Sequence, residues 1–385
     1  MIRDLTDAEA RAALPLKWEL PDVVPAWVAE MDYAQAEPIT EALVDAVRRG
    51  ALGYPPHGDD LGAAFSGFAA RHWGWDVPAE ASVATGGVVS GIRLALEVLC
   101  PPGPVVVPMP CYPPFRHAVE VTGREVVPIE LDPESDDASL DLCAVSRAFA
   151  RGARTLLLCN PHNPLGHVPS RAELAGLAAL AREYDARVIT DEIHAPLVLA
   201  PLGAEERTFT PYLSLDDRAV LVTSPSKAFN MPATHGAQLV VLDPADRARL
   251  AAAPIPAQNT WSSLGIVAGT VAWRDCDDWL AALVERLTQQ RTLLAELLAD
   301  RLPKARMRPL EATYLAWLDL RAYGVDDPAE AALAHGVRLA PGQDYQPGLT
   351  GHVRLNLATS PERLERVVEG LRAALDDGGQ GTPRG

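Results

Sequence analysis

Through the middle of the chain, short β-branched and leucine-rich runs alternate with Ala/Leu-rich stretches of helical period. The strand-like runs fall at residues 105–107, 125–129, 155–159, 187–190, 219–223 and 238–242. Between them lie patterns such as 170–184, where Leu174, Leu177, Ala178 and Ala181 share one face of a helix. This alternation predicts an α/β fold: a large domain whose mostly parallel central sheet is covered by helices on both faces. Polar clusters follow directly on three of the runs, at 160–166, 191–194 and 224–230. Open parallel sheets take their ligands at the carboxyl ends of their strands, so the chemistry is expected there.

Downstream the pattern changes. Residues 277–300 read as one long amphipathic helix carrying Leu280, Leu283, Val284, Leu287, Leu294, Leu297 and Leu298. Strands at 314–320 and 353–357 and a helix over 361–375 then predict a smaller α+β domain. The proline-punctuated segment 1–45 is expected to pack on it, so that both termini build the small domain. The expected division is 1–45 for that segment, 46–276 for the large domain, 277–376 for the small one and 377–385 for a tail. That tail is Gly-rich with nothing apolar to bury, and is expected to be mobile.

Composition narrows the choice of partners. At about 150 residues per domain, the chain length suggests two or three domains. A make-up of 48% hydrophobic and 22% charged residues is that of a packed globule. The net charge of −17, with no basic run longer than two residues, argues against a nucleic-acid or anionic-membrane partner. No stretch of roughly 18 apolar residues occurs, so no membrane span is expected. The first residues lack a basic-then-apolar leader, which points to the cytoplasm. Five scattered cysteines without a CxxC pair argue against a disulfide framework and a thiolate metal site. Lysine is the informative count. Only Lys17, Lys227 and Lys304 occur among 34 basic residues. Arginine does not deprotonate to a nucleophilic amine, so imine-forming chemistry has three candidates.

One of them is well placed. Lys227 lies in Ser224-Pro225-Ser226-Lys227-Ala228-Phe229-Asn230, directly after the run 219–223. At the mouth of a sheet its amine is partly desolvated and can attack a carbonyl, and the neighbouring serines can donate to a phosphate. Asp191 opens Asp191-Glu192-Ile193-His194, and a carboxylate there can keep a pyridine nitrogen protonated. The prolines of Asn160-Pro161-His162-Asn163-Pro164-Leu165-Gly166 enforce extended backbone, with two side-chain amides flanking His162. Gly86 and Gly87 open a helical stretch whose backbone N–H groups can approach an anion. Tyr112 offers an aromatic face to a planar ring, and Arg354, inside the last strand, can grip a carboxylate with a two-pronged fork.

Taken together, these residues resemble fold-type I pyridoxal-phosphate enzymes of the class I/II aminotransferase superfamily, and within it the cystathionine β-lyase (MalY/PatB, C–S lyase) branch. The narrower resemblance rests on Lys17-Trp18-Glu19, Trp27-Val28-Ala29-Glu30-Met31-Asp32, Gly53-Tyr54, Tyr112-Pro113-Pro114-Phe115, the segments 160–166, 191–194 and 226–230, and Arg354. It implies pyridoxal 5'-phosphate as cofactor, with Lys227 as the Schiff-base lysine and proton shuttle, Asp191 on the pyridine nitrogen and Tyr112 stacked on the ring. Asn163 would meet the ring 3-hydroxyl, and Gly86, Gly87, Ser224 and Ser226 the phosphate. Val88, Asn160, Ile193 and His194 complete the implied cofactor-binding set. Arg354 would hold the substrate α-carboxylate, so Lys227, Tyr112 and Arg354 form the catalytic group. A homodimer is implied, with Tyr54 reaching the neighbouring subunit's site.

The resemblance implies β-elimination from a cysteine S-conjugate, giving a thiol, pyruvate and ammonia. Transamination, or decarboxylating oxidative deamination of an S-conjugated cysteine in specialised-metabolite assembly, are the alternatives. His194, where aminotransferases usually carry tyrosine, tilts the reading toward lyase. Four positions depart from the pattern: His235 replaces a basic phosphate ligand, Pro232-Ala233 an Ala-Gly, His167 an arginine and Glu30 an aspartate. A dinucleotide-binding dehydrogenase would need a GxGxxG helix start, which is absent. A metal site on His162, His167, Asp191 and His194 fits no common ligand spacing, so no metal is expected.

Overall fold

The structure, a computed structural model, describes residues 2–54, 59–131, 138–202, 208–254 and 261–378. The chain contributes a short strand β1 (Val24–Pro25) before entering the main sheet through β2 (Ser82–Thr85), β3 (Val105–Met109), β4 (Val126–Glu130) and β5 (Thr155–Cys159). The sheet is completed by β6 (Arg187–Asp191), β7 (Val220–Thr223) and β8 (Ala237–Val240). These last seven strands lie in the order β2-β8-β7-β6-β5-β3-β4. Pairings from β7 through β4 are parallel, whereas β8 runs antiparallel to both of its neighbours. The expected α/β architecture with a mostly parallel sheet is what forms.

Why the strands read as continuous apolar runs follows from burial on both faces. Along β5, Leu156 and Leu158 enter one core while Leu157 and Cys159 enter the other. In β7, Leu221 faces the first core and Val220 and Val222 the second. The helix Arg171–Glu183 is capped by the Ser170 side chain and buries Leu174, Leu177, Ala178 and Ala181, the face set by its period.

A second, antiparallel sheet holds β9 (Arg306–Met307), β10 (Leu315–Asp319), β12 (Ala340–Pro341) and β13 (His352–Asn356), in the order β12-β13-β10-β9. It is reached by the 25-residue helix Asp277–Arg301, which buries Leu280, Leu283, Leu287, Leu294, Leu297 and Leu298. The N-terminal segment returns to this region. There β1 pairs in parallel with β11 (Val337–Arg338). The final helix spans Pro361–Gly378, so the tail expected from 377 begins no earlier than 379, and residues 379–385 lie outside the described part. Among the described residues no helix is long and apolar enough to cross a membrane.

Candidate active site

Strand register sets the site. At the carboxyl edge of the sheet Cys159 pairs with Asp191, and Asp191 with Val222. The chain leaves β5, β6 and β7 nearly level, so the three polar clusters emerge side by side. At the opposite edge of this group, Thr85 pairs with Ala237 across the antiparallel β2–β8 contact, which places Gly86 beside the approach to β8. A cavity of about 470 Å³ opens between these ends. Gly86, Gly87, Val88, Ser226 and Lys227 line it, and so do Tyr112, Asn163, Asp191, Ile193, His194 and Arg354.

Three residues of the expected set stand apart from that lining. Asn160 is fully buried and its amide nitrogen donates to the Thr210 carbonyl at 3.1 Å and to Glu192 at 3.4 Å, bracing the loops. The Ser224 hydroxyl donates to the Gly236 carbonyl (2.7 Å) and accepts from the Ser226 N–H (3.1 Å), which shapes the turn that carries Lys227. Tyr54 is 97% exposed, beside Leu52 and Ser262 to Leu264 and away from the cavity.

Lys227, Asp191 and His194 on the cavity wall are strongly perturbed. Lys227 Nζ donates to the Ala29 carbonyl at 3.0 Å. Desolvation, aided by Arg354 and opposed by Glu30 and Asp191, brings its ammonium down to about 8. Burial pushes the Asp191 carboxyl up to about 7, against the Ile193 N–H at 3.0 Å and the charge of Lys227. His194 is held neutral: desolvation, then the charges of Lys227 and Arg354, take it down to about 3. Arg354 is buried, donating to Asn163 Oδ1 at 3.0 Å and to the Trp27 carbonyl at 2.9 Å.

Sequence reasoning left out what lies over this wall. The segment 27–32 crosses the site and is tied down from every side. Asn356 Nδ2 donates to the Val28 and Glu30 carbonyls, each at 2.7 Å, and the Tyr314 hydroxyl donates to Ala29 at 3.1 Å. Asn230 and Met31 exchange two hydrogen bonds, of 2.8 and 2.7 Å. Beneath them Lys17 and Asp32 form an ion pair of 3.0 Å with both side chains 1% exposed. Val28, Ala29, Val89, Ser90, Cys159, Pro232 and His235 also line the cavity. The partners of these contacts lie up to 328 residues apart, a separation that no local pattern signals.

Residues 27–371 match the family described as Aminotransferase class I and II. The chain belongs to that family. A cystathionine beta-lyase of Corynebacterium glutamicum is 36% identical over 366 residues, covering 93% of this chain and 95% of that protein. The solved structure of a Corynebacterium diphtheriae chain described as a PLP-dependent beta-cystathionase superposes with a TM-score of 0.91 at 34% identity, covering 98% and 99% of the two chains. The PLP-bound C–S lyase of Staphylococcus hominis gives 0.87 at 26% identity, with 95% and 96% covered.

The donor set suits the cofactor that the sequence implies. His194 Nδ1 and the donor Arg354 Nε are buried without a hydrogen-bond partner among the described residues, so both can serve a polar occupant of the cavity. A buried carboxylate such as Asp191 is strongly relieved by a cationic ring nitrogen. The helix Val88–Val98 starts at the cavity with no side-chain cap on Gly87 and no acidic residue in its first turn, leaving its N–H groups open to an anion.

Proposed function

We propose that the protein is a pyridoxal-phosphate-dependent carbon–sulfur β-lyase. It takes a cysteine S-conjugate of the cystathionine type and, consuming one water, releases a thiol, pyruvate and ammonia. The observation that carries this reading is Lys227: a lysine with its amine depressed to about 8, in one cavity with Asp191, Arg354 and a neutral His194. Support comes also from relatives of matching length that are named for this activity.

When bound, the cofactor supplies an electron sink for negative charge at the substrate Cα. Lys227 would anchor it through Nζ and, as a free amine, would take the proton from the substrate Cα. Desolvation holds this amine well below the ordinary lysine range, which suits it to accept the Cα proton and return one to a departing sulfur. Arg354 receives the α-carboxylate. Asn163 and the Trp27 carbonyl orient its guanidinium while Nε stays available. Asp191 would keep a proton on the cofactor's ring nitrogen, and Tyr112 would offer its aromatic face to the ring. His194 stays uncharged on the cavity wall and adds no positive charge beside the reacting centre. Gly86, Gly87, Val88 and Ser226 hold the phosphate.

The reading includes a homodimer in which Tyr54 reaches the partner's phosphate site. In its own subunit Tyr54 is 97% exposed next to Leu52 at 62%, an apolar loop open to a second copy. Five free cysteines suit a reducing cytoplasm. The test is pyruvate release from cystathionine and S-alkyl cysteines by the purified holoenzyme, with and without added keto acids. Pyruvate without an acceptor is the expected result. Turnover only with a keto acid would make the protein an aminotransferase instead, and a keto-acid-independent reaction that consumes oxygen and releases CO2 would make it an oxidative decarboxylase.

A further inference from the structure

We propose that His167 is a positioning residue: its imidazolium, wedged between Glu173 and Glu311, locks the loop that holds Asn163 against Arg354 and so governs how tightly the substrate carboxylate is gripped. This rests on the reading of the cavity as a pyridoxal-phosphate site whose Arg354 receives that carboxylate.

The His167 side chain is buried outside the cavity lining. Its Nδ1 stands 3.0 Å from Glu311 Oε2, and its Nε2 lies 3.5 Å from Glu173 Oε2. The two carboxylates come from different parts of the molecule. Glu173 sits in the first turn of the helix Arg171–Glu183, whereas Glu311 precedes β10 of the second sheet. Both are held in place. Glu311 Oε2 also accepts the Val168 N–H at 2.8 Å, and Glu173 Oε1 accepts the Leu140 N–H at 2.7 Å. An imidazole between two fixed acceptors presents a donor to each only as the doubly protonated cation. The neutral ring would turn a lone pair on one carboxylate.

Main-chain bonds carry this clasp to the site. The His162 N–H donates to the His167 carbonyl at 2.8 Å, and the Gly166 N–H to the His162 carbonyl at 2.7 Å, which closes residues 162–167 into one loop. From the other side the Glu311 and Ala312 N–H groups both donate to the Gly166 carbonyl, each at 3.0 Å. Asn163 rides on this loop, and its Oδ1 accepts from Arg354 Nη1 at 3.0 Å. Releasing His167 loosens the seat of Asn163, and through it Arg354, while leaving the contacts of Lys227 alone.

Beyond the two carboxylates, His162 and Arg308 bear on this corner, and burial takes His162 down to about 3, so it stays neutral. Burial also opposes a charge on His167, but Glu173 and Glu311 outweigh it and hold its pKa above the ordinary 6.5. The clasp is therefore complete at and below pH 6.5 and is lost as pH rises past the raised value.

The experiment compares wild type with His167→Gln, which has a donor but no charge, and with His167→Arg, which is charged at every pH. Urea melts of each apo-protein at pH 6.0 and pH 9.5 read the clasp itself. In the holoenzyme, the chromophore change on adding L-alanine, which has no β-leaving group, gives a dissociation constant. An S-alkyl cysteine gives kcat and KM under the same conditions. Ionisation of Lys227, the cofactor and the amino acid is common to all three proteins and cancels in ratios. At pH 6.0, His167→Gln should bind alanine about five- to tenfold more weakly than wild type, with a matching rise in KM and kcat within about twofold. Its urea midpoint should also be lower. At pH 9.5 both gaps should close, and His167→Arg should bind more tightly than wild type. Should His167→Gln not fold, the ratio of wild type to His167→Arg across the two pH values carries the test. Ratios that do not change with pH, a fall in kcat as large as the rise in KM, or an arginine variant that behaves like the glutamine one overturns the inference. If wild type binds the amino acid and those ratios are flat, only the role of His167 fails. A wild type without a Lys227-dependent chromophore defeats the cofactor reading, and this inference with it.

Discussion

Asp191 shows how a single side chain reveals its task. Burial raises its carboxyl from 3.8 to about 7, so in the folded apo-protein it keeps a proton that the unfolded chain has already released. Over that interval the folded state binds more protons, and its stability must fall as pH rises. Asp191→Asn removes the titration. Apo wild type is therefore expected to lose stability relative to Asp191→Asn as pH climbs from about 4 to about 7, in paired urea melts; a constant gap would contradict it. The holoenzyme should respond in the opposite sense. The asparagine variant should lose turnover by about 100-fold or more, because an amide does not hold the ring nitrogen cationic. Most of this residue chemistry was legible in the sequence. Lys227, Asp191, Asn163, Tyr112 and Arg354 all follow or lie within strands, and strand ends are readable from apolar runs bounded by polar clusters.

At the scale of elements, legibility depended on whether contacts are local. Six of the seven main-sheet strands fell within a residue or two of their expected places, since buried strands leave an unbroken apolar signature, whereas β2 at the sheet edge was not foreseen. The direction of β8 was not readable, because periodicity carries no information about which way a strand runs. Yet that reversal brings His235 to Gly86. Segment 27–32 was quoted as a motif without its position over the cavity being foreseen, since its partners Asn230, Tyr314 and Asn356 come from distant chain. Its anchor is the Lys17–Asp32 pair, where full burial outweighs the carboxylate and holds the lysine below its ordinary range. Lys17→Met strands a buried charge, with an expected loss of about 3–5 kcal/mol in denaturant unfolding, and Lys17→Met with Asp32→Leu should recover much of it. A loss below about 1 kcal/mol would show that the pair does not anchor the segment. The β8 junction gives a second test. A Cβ on Gly265 would sit 2.4 Å from the Thr234 carbonyl oxygen, so Gly265→Ala should destabilise by about 1–3 kcal/mol and loosen cofactor binding.

For the whole molecule, the two sheets and the N-terminal segment meet around one cavity. Lys227 comes from the main sheet, Arg354 from β13, and Trp27 to Ala29 from the N-terminal segment. In the proposed homodimer Tyr54, which like Asn160 and Ser224 lies outside the lining of the subunit's own cavity, reaches the partner's site. Co-expression of Tyr54→Ala with Lys227→Ala chains tests that assembly. If Tyr54 acts across the interface, mixed dimers hold one intact site, and about a quarter of the wild-type sites should be active at random pairing. Activity no higher than the sum of the two parent variants would place Tyr54 outside the partner's site.

The most direct measurement is borohydride reduction of the yellow holoenzyme, followed by proteolysis and mass spectrometry. A pyridoxyl-phosphate adduct confined to the peptide bearing Lys227, and loss of the reducible chromophore in Lys227→Ala, is the predicted result. An adduct on Lys17 or Lys304, or a chromophore that survives the substitution, would contradict the account.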